Sequence, residues 1–176
     1  MPKAEEAQSF LRRLTRLCAK ENEALRWTTP LGFPVINRYH QPIIERIPVY
    51  PNGRRREFSL AVGDKDDIYK SKCANSVAAN FVHSMDACYL QLVALAVAEE
   101  GFELVTVHDC FGCLAPRAGR LNLILKEQLR GLYKGHDVLA EVLASARKIL
   151  PGVKLPSPPE RGNLNIDDVV KANPFK

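Results

Sequence analysis

The stretch TVHDCFG, residues 106–112, sets His108 and Asp109 side by side between β-prone residues. A carboxylate held on a tight turn at the edge of a cleft can bind Mg²⁺. In two-metal phosphoryl chemistry the ions lie roughly 3.5–4 Å apart and stabilise the attacking and leaving oxygens. Mg²⁺ is usually held by one or two carboxylates together with substrate phosphates, so one aspartate supplies half of such a site and needs an acidic partner. The simpler alternative is a turn aspartate bonded to its own backbone. On residues alone that alternative is favoured.

Three other groups of residues carry possible chemistry. Cys110 and Cys113 form a single C-x-x-C pair. A zinc site would need His83 and His108 as its other half, and strand alternation would point the two thiols to opposite faces. Free core thiols are the better reading, and a metal or thiol protein built on this pair stays as an alternative. His83 lies within a long helical stretch near Ser84 and Asp86, where a helix-start histidine satisfied by its neighbours is the bland account. Asp86 then reads as a first-turn acid favoured by the helix dipole. Arg54, Arg55 and Arg56 follow a turn signal. On a projecting two-stranded ribbon they could meet phosphates or guanine edges in a major groove, or simply keep a loop tip soluble.

The elements that must position these groups follow from the pattern. Ala7, Phe10, Leu11, Leu14, Leu17 and Cys18 predict an amphipathic helix over 4–20. Arg12, Arg13, Arg16 and Lys20 form its other, solvated face. Five prolines between residues 30 and 51 exclude a long helix next. IIERIPVY and REFSLAV predict two strands around Asn52-Gly53, a strong hairpin signal. Residues 64–70 read as a polar link. The run SKCANSVAANFVHSMDACYLQLVALAVAEEG predicts a helix broken near His83-Ser84, with a stripe of Ala74, Val77, Phe81, Ala87, Leu90, Ala94 and Val97. Strand, turn and strand follow, with the turn over His108–Phe111. Helices are predicted over 117–133 and 137–149, the latter capped by Asp137. A Pro-rich extended segment and a short terminal helix close the chain. The sum is an α+β chain dominated by helix outside two small antiparallel hairpins.

The 176 residues are enough for one domain with a core, and 46% apolar content is ordinary for a globular protein. A net charge of +5 admits nucleic acid among possible partners without selecting it. Five cysteines scattered through apolar stretches read as free buried thiols. No signal-peptide pattern opens the chain, and the apolar run at 90–98 is too short to span a bilayer. A soluble protein of the cell interior, with no membrane partner, is the expectation.

NFVHSMDACYLQL followed by VTVHDCFGCLAP resembles the carboxy-terminal part of single-subunit, phage-type RNA polymerases, a family that includes mitochondrial enzymes. WTTPLGFPVINRYHQPI is similar to the segment entering their specificity hairpin, and PPERGNLNIDDVVKANPF to their terminal segment. The four motifs stand in the family's order from about Ala7 to Phe175. The resemblance implies part of a right-hand polymerase fold. Residues 1–82 would be the end of the fingers with a promoter-reading ribbon at about 36–62. Residues 83–176 would be the second half of the palm and the terminal segment.

By the same resemblance Asp109 corresponds to the second metal-binding palm aspartate, with Mg²⁺ as cofactor. His108 would shape the site near the nascent RNA end, and His83 would lie near the ribose of the incoming nucleotide. Arg46, Tyr50, Arg54, Arg55 and Arg56 would contact promoter DNA. Template, RNA and nucleoside triphosphates would be the other partners, in the cytoplasm of a phage-infected cell. Lys176 follows the family's usual aromatic end, here Phe175. The family's first catalytic aspartate, its fingers helix, its thumb and its amino-terminal promoter domain have no match in the sequence. Asp66, Asp67, Asp86, Asp137, Asp167 and Asp168 are rejected as the missing carboxylate because each belongs to a polar link, a helix or a cap. The expectation is therefore a chain inactive alone, completed by a second polymerase polypeptide. Met1 just before an intact helix suits such a split. A non-catalytic DNA-binding module and a remnant of a truncated polymerase gene are the alternatives.

Overall fold

The computed structural model describes residues 2–172. Helix α1, Pro2–Lys20, buries Phe10, Leu11, Leu14 and Cys18. It ends on Asn22 in the left-handed region at φ 56°, with Glu23 N–H closing onto Cys18 C=O at 3.0 Å. This is a Schellman stop with asparagine in glycine's usual place. The Asn22 side chain accepts from Ile68 N–H at 2.9 Å, which ties the helix end to a strand far along the chain. Arg12 departs from the expected solvated face. It is half-buried, and its Nε is buried with no hydrogen-bond partner among the described residues. Arg13, Arg16 and Lys20 on the same face are exposed.

A hairpin of β1, Leu25–Thr28, and β2, Pro34–Asn37, comes next. The prolines here exclude a long helix, as expected, but this hairpin is not among the strands expected from the sequence. Pro34 opens a strand, where its missing N–H costs no ladder bond. Gly32 at φ 88° and the Thr29 hydroxyl, which accepts from Phe33 N–H, close the loop. Trp27 is buried and donates from Nε1 to Ser84 Oγ at 3.0 Å.

Strands β3, His40–Val49, and β4, Arg56–Ile68, form the expected ribbon, with two register irregularities between His40 and Ile44. It is longer than predicted, because the polar stretch from Gly63 to Ile68 is strand. Its alternation is masked by the run Asp64-Lys65-Asp66-Asp67. Asn52-Gly53 is not a two-residue turn. The strands meet at Val49 and Arg56, and a 3-10 turn at Pro51–Gly53 lies between them. Pro51 has no N–H for a ladder, so pairing stops before it.

Helix α2, Lys70–Glu99, is continuous through His83 and Ser84. Ser84 Oγ donates to the helix carbonyl of Phe81 at 2.7 Å and accepts from Trp27, so its hydroxyl is satisfied without breaking the helix. Without the break, the stripe runs through Val77, Met85, Cys88, Val93 and Val97. Ala87 faces outward, contrary to the expected phase. One window of α2, of mean hydropathy 1.5, is long and apolar enough to cross a membrane by length and composition. Its buried residues pack instead against α1 and the helix that follows.

Strands β5, Val105–Val107, and β6, Cys110–Gly112, form a tight hairpin. Helices α3, Ala118–Gly135, and α4, Val138–Ile149, follow. Asp137 caps α4 by accepting from Ala140 N–H at 3.1 Å, as expected. After an extended Pro-rich segment, α5, Asp168–Lys171, docks on α3. Phe175 and Lys176 lie outside the described residues.

Three apolar clusters hold the elements. The largest joins α1, β1, α2 and α4 around Leu14, Leu25, Val77 and Val142. A small one, Ala19, Ala24, Ile68 and Cys73, seats the ribbon's root. The third, Val93, Val97, Leu121 and Ile124, lies under β5–β6. The observed class is α+β, rich in helix, with three two-stranded antiparallel sheets among the described residues.

Candidate functional site

The pairs Val105–Gly112, Thr106–Phe111 and Val107–Cys110 leave His108 and Asp109 as the two central residues of the β5–β6 turn. The turn is tighter than the predicted His108–Phe111. His108 sits at φ 55°. A non-glycine residue there costs on the order of 1–3 kcal/mol and persists only where the surroundings enforce it. The enforcement comes from the hairpin's inner face. The Phe111 ring meets Tyr89 of α2 edge-on at 5.8 Å, and the Tyr89 hydroxyl donates to Leu125 C=O of α3 at 2.9 Å.

The outer face is bare. Val105 and Val107 are each 63% exposed, beside exposed Cys110. Cys110 is therefore not a core thiol, whereas Cys18, Cys73 and Cys88 are buried. Cys113 packs against the third cluster, on the other side of the hairpin from Cys110.

The Asp109 carboxylate is exposed. Its contact is the Cys110 thiol, 3.9 Å away. Among the described residues it accepts no backbone hydrogen bond and forms no ion pair. The turn-aspartate account required such a backbone bond. Asp109 is thus an acid on a strained turn with no local structural task.

His83 is exposed on the middle of α2 rather than at a helix start. It lines a cavity of about 440 Å³ with Phe33, Ile36, Asn80, Ser84 and Gln91. No hydrogen bond or ion pair joins it to Asp109. Tyr89, which packs on the hairpin, follows His83 by six residues, about 9 Å along the helix axis. Asp86 is also exposed in mid-helix, so the first-turn explanation fails. Burial, and after it the Asp86 carboxylate, push the Tyr133 phenol above its ordinary value.

The ribbon divides its residues between two faces. The register puts Ile43, Ile47, Phe58 and Leu60 on one face, where all are exposed, and Val62 continues it at the irregularity. Arg46, Glu57 and Ser59 share the other face. Tyr50, Arg54, Arg55 and Arg56 cluster at the exposed tip, and Arg55 pairs with Glu57 at 3.2 Å.

Sequence reasoning passed over the group that anchors this ribbon. Asn37, 1% exposed, donates to Cys73 C=O at 2.9 Å. Its Oδ1 accepts from Ser76 Oγ at 3.1 Å and Asn80 Nδ2 at 2.9 Å. Asn80 also donates to the Tyr39 hydroxyl at 3.1 Å, and Lys72 lies over the Tyr39 ring. The available signal was Ser76 and Asn80 at i, i+4, three residues on from the apolar positions Cys73 and Val77.

Comparison with known proteins decides the family. A model of the DNA-dependent RNA polymerase family matches residues 1–152. The chain belongs to the phage-type DNA-dependent RNA polymerase family. It is 34% identical to the DNA-directed RNA polymerase of Pseudomonas phage phiKMV over 96% of its own length and 20% of that protein's. It is 32% identical to DNA-directed RNA polymerase 2, chloroplastic/mitochondrial, of Arabidopsis thaliana over 91% of its own length and 15% of the relative's. The corresponding polymerase of Enterobacteria phage T3 is 31% identical, over 97% of this chain and 21% of that one. The chain thus spans about a fifth or less of the length of these polymerases.

Proposed function

We propose that this chain forms the carboxy-terminal portion of a phage-type RNA polymerase and acts in transcription together with a second polypeptide. That partner supplies the first catalytic aspartate and the fingers helix. Residues 1–82 are the end of the fingers with the promoter-reading ribbon, and residues 83–176 are the second half of the palm in a right-hand fold. The observation that carries the reading is Asp109: exposed, met only by the neighbouring Cys110 thiol among the described residues, and displayed on a strained turn within a family match that covers most of the chain.

The residues present fit one share of a metal site. Among the described residues no three His, Cys, Asp or Glu side chains converge. Asp109 is then a single carboxylate ligand, which Mg²⁺ can accept when a second carboxylate and substrate phosphates complete its shell. When bound, the ion stabilises charge on the oxygens of the transferring phosphoryl group. The reaction is attack of the RNA 3′-hydroxyl on the α-phosphate of a nucleoside triphosphate, with pyrophosphate leaving. His108 borders the RNA end beside Asp109. His83 orients the incoming ribose from the cavity shared with Phe33 and Asn80. Arg46 and the tip residues Tyr50, Arg54, Arg55 and Arg56 contact the promoter, while template, RNA and triphosphates meet the palm.

The test is co-purification with the polypeptide carrying the rest of the polymerase, then nucleotide incorporation on a promoter template. Activity is expected in the mixture and in neither part, and Asp109→Ala abolishes it. Full activity of this chain alone, or an unaffected Asp109→Ala mixture, refutes the reading.

A further inference from the structure

The basic edge of α1 does not stand alone in the fold. The extended segment after α4 crosses the helix and sets Leu155 onto the main apolar cluster. That crossing borders a shallow, open cleft of about 450 Å³ in which Arg13, Arg16, Lys20 and Lys154 stand around a floor of Leu17 and Leu155. Lys154 therefore joins three cations more than a hundred residues away in sequence. Among the described residues none of the four is ion-paired. The helix dipole accounts for a cation in the last turn only, which covers Lys20 and leaves Arg13, Arg16 and Lys154 unexplained. Converging like charges raise one another's energy unless an anion offsets them.

Among the described residues no carboxylate lines the cleft itself. Glu5 and Glu6 line the neighbouring cavity past Arg13, and Asp67 the one past Lys20. We infer that this cleft binds the phosphodiester backbone of a nucleic-acid strand, a contact separate from both the Asp109 turn and the ribbon. Arg13 to Lys20 spans roughly 10 Å of helix axis, and a strand carries one charge per about 3.4 Å of its own axis, so the cleft matches about three phosphates. No polar group lies on its floor to read a base. The contact is therefore indifferent to sequence, and apolar Leu17 and Leu155 accommodate sugar or base faces.

The probe is a mixed-sequence single strand of about twelve nucleotides, within the range single-strand grooves accommodate. Binding to the full chain is followed by fluorescence anisotropy across a salt series. Each phosphate contact contributes about 0.7 to the logarithmic salt slope for single strands, so R16Q/K154Q should lower the slope by about 1.4 and the affinity roughly 25-fold at 0.1 M salt. R16K/K154R should restore both, since charge rather than shape is required. Far-UV circular dichroism should show the fold unchanged by these exposed substitutions. The same decrement should appear in an R54Q/R55Q/R56Q background and with Asp109→Ala, so this contact and the proposed polymerase function fail separately. Unchanged slope and affinity in R16Q/K154Q overturn the inference. So does displacement of the strand by inorganic tripolyphosphate at equal phosphate concentration, which would mark a compact polyphosphate site.

Discussion

Removing the Asn37 side chain is the sharpest test of how the ribbon is set on the body. Asn37→Ala deletes three hydrogen bonds at a fully buried position. A typical bond of this kind contributes about 0.5–1.5 kcal/mol net, and a buried group left unpaired costs about 1–3 kcal/mol. The partners are not all orphaned. Ser76 Oγ can still donate to Lys72 C=O at 2.8 Å, and Asn80 keeps the Tyr39 hydroxyl. The expected loss is therefore about 2–3 kcal/mol, below the sum of three orphaned groups. For a chain of this size that is a fall in Tm of roughly 5–10 °C by circular dichroism. Amide exchange should quicken first at Tyr69, whose N–H donates to Tyr39 C=O at the ribbon's root. Asn37→Ala and Asn80→Ala share a bond, so their effects should be non-additive by at least about 0.5 kcal/mol. Strict additivity, or a Tm within about 1 °C of wild type, refutes the idea that these side chains act as one anchor.

Further outcomes can be checked with simple measurements. Trp27→Phe removes the donor to Ser84 and should cost about 1–2 kcal/mol in denaturant unfolding; a loss under about 0.5 kcal/mol would show the bond to be idle. Burial lifts the Cys18 thiol from 9.0 to about 11, so the stability it contributes is complete below 9.0 and lost as pH rises towards 11. Cys18→Ala should flatten that alkaline decline in Tm. Lys134 donates to Asp167 and holds its carboxyl below the usual range. The docking of α5 should therefore be strongest above the ordinary carboxylate pKa, weaken as pH falls below it and lose this contribution as pH passes through the depressed one. Carboxyl NMR should show Lys134→Gln moving the Asp167 titration upward. Iodoacetamide mapped by mass spectrometry should modify exposed Cys110 first and reach Cys18, Cys73 and Cys88 only on unfolding; simultaneous labelling of all five would contradict the burial pattern.

Much of this fold was legible because its signals are local. The stripe of α1 and the Asp137 cap depend on spacing within a few residues. The β5–β6 turn is of the same kind and missed only its exact span. The failures have a common origin in distant partners. His83-Ser84 looked like a helix break until Trp27, 57 residues away, occupied the serine hydroxyl. Predicting that break moved the expected stripe onto Ala87 and away from Met85 and Cys88. The β1–β2 hairpin hid behind prolines placed where they do no harm. Asn37 could not announce its burial, since its partners lie on α2. At the candidate site His108, Asp109 and His83 came from recognised motifs, and spacing alone favoured a structural aspartate. The basic cleft was half visible as the α1 face, and Lys154 completes it only through the path of the Pro-rich segment.

The ribbon carries one more consequence. It is a sheet of two strands, so both of its outer edges present unpaired N–H and C=O groups, and one of its faces is lined by Ile43, Ile47, Phe58 and Leu60. Two strands without a covering layer are marginal in water, and open apolar edges template pairing with other chains. Charge is concentrated at the root, in Asp64, Lys65, Asp66 and Asp67, and at the arginine tip. The middle of the ribbon has Glu45, Arg46 and Glu57 to keep neighbours off. The feature suited to reaching outward is thus also the molecule's weakest defence against itself. Its solubility is governed by those few side chains more than by the helical body beneath.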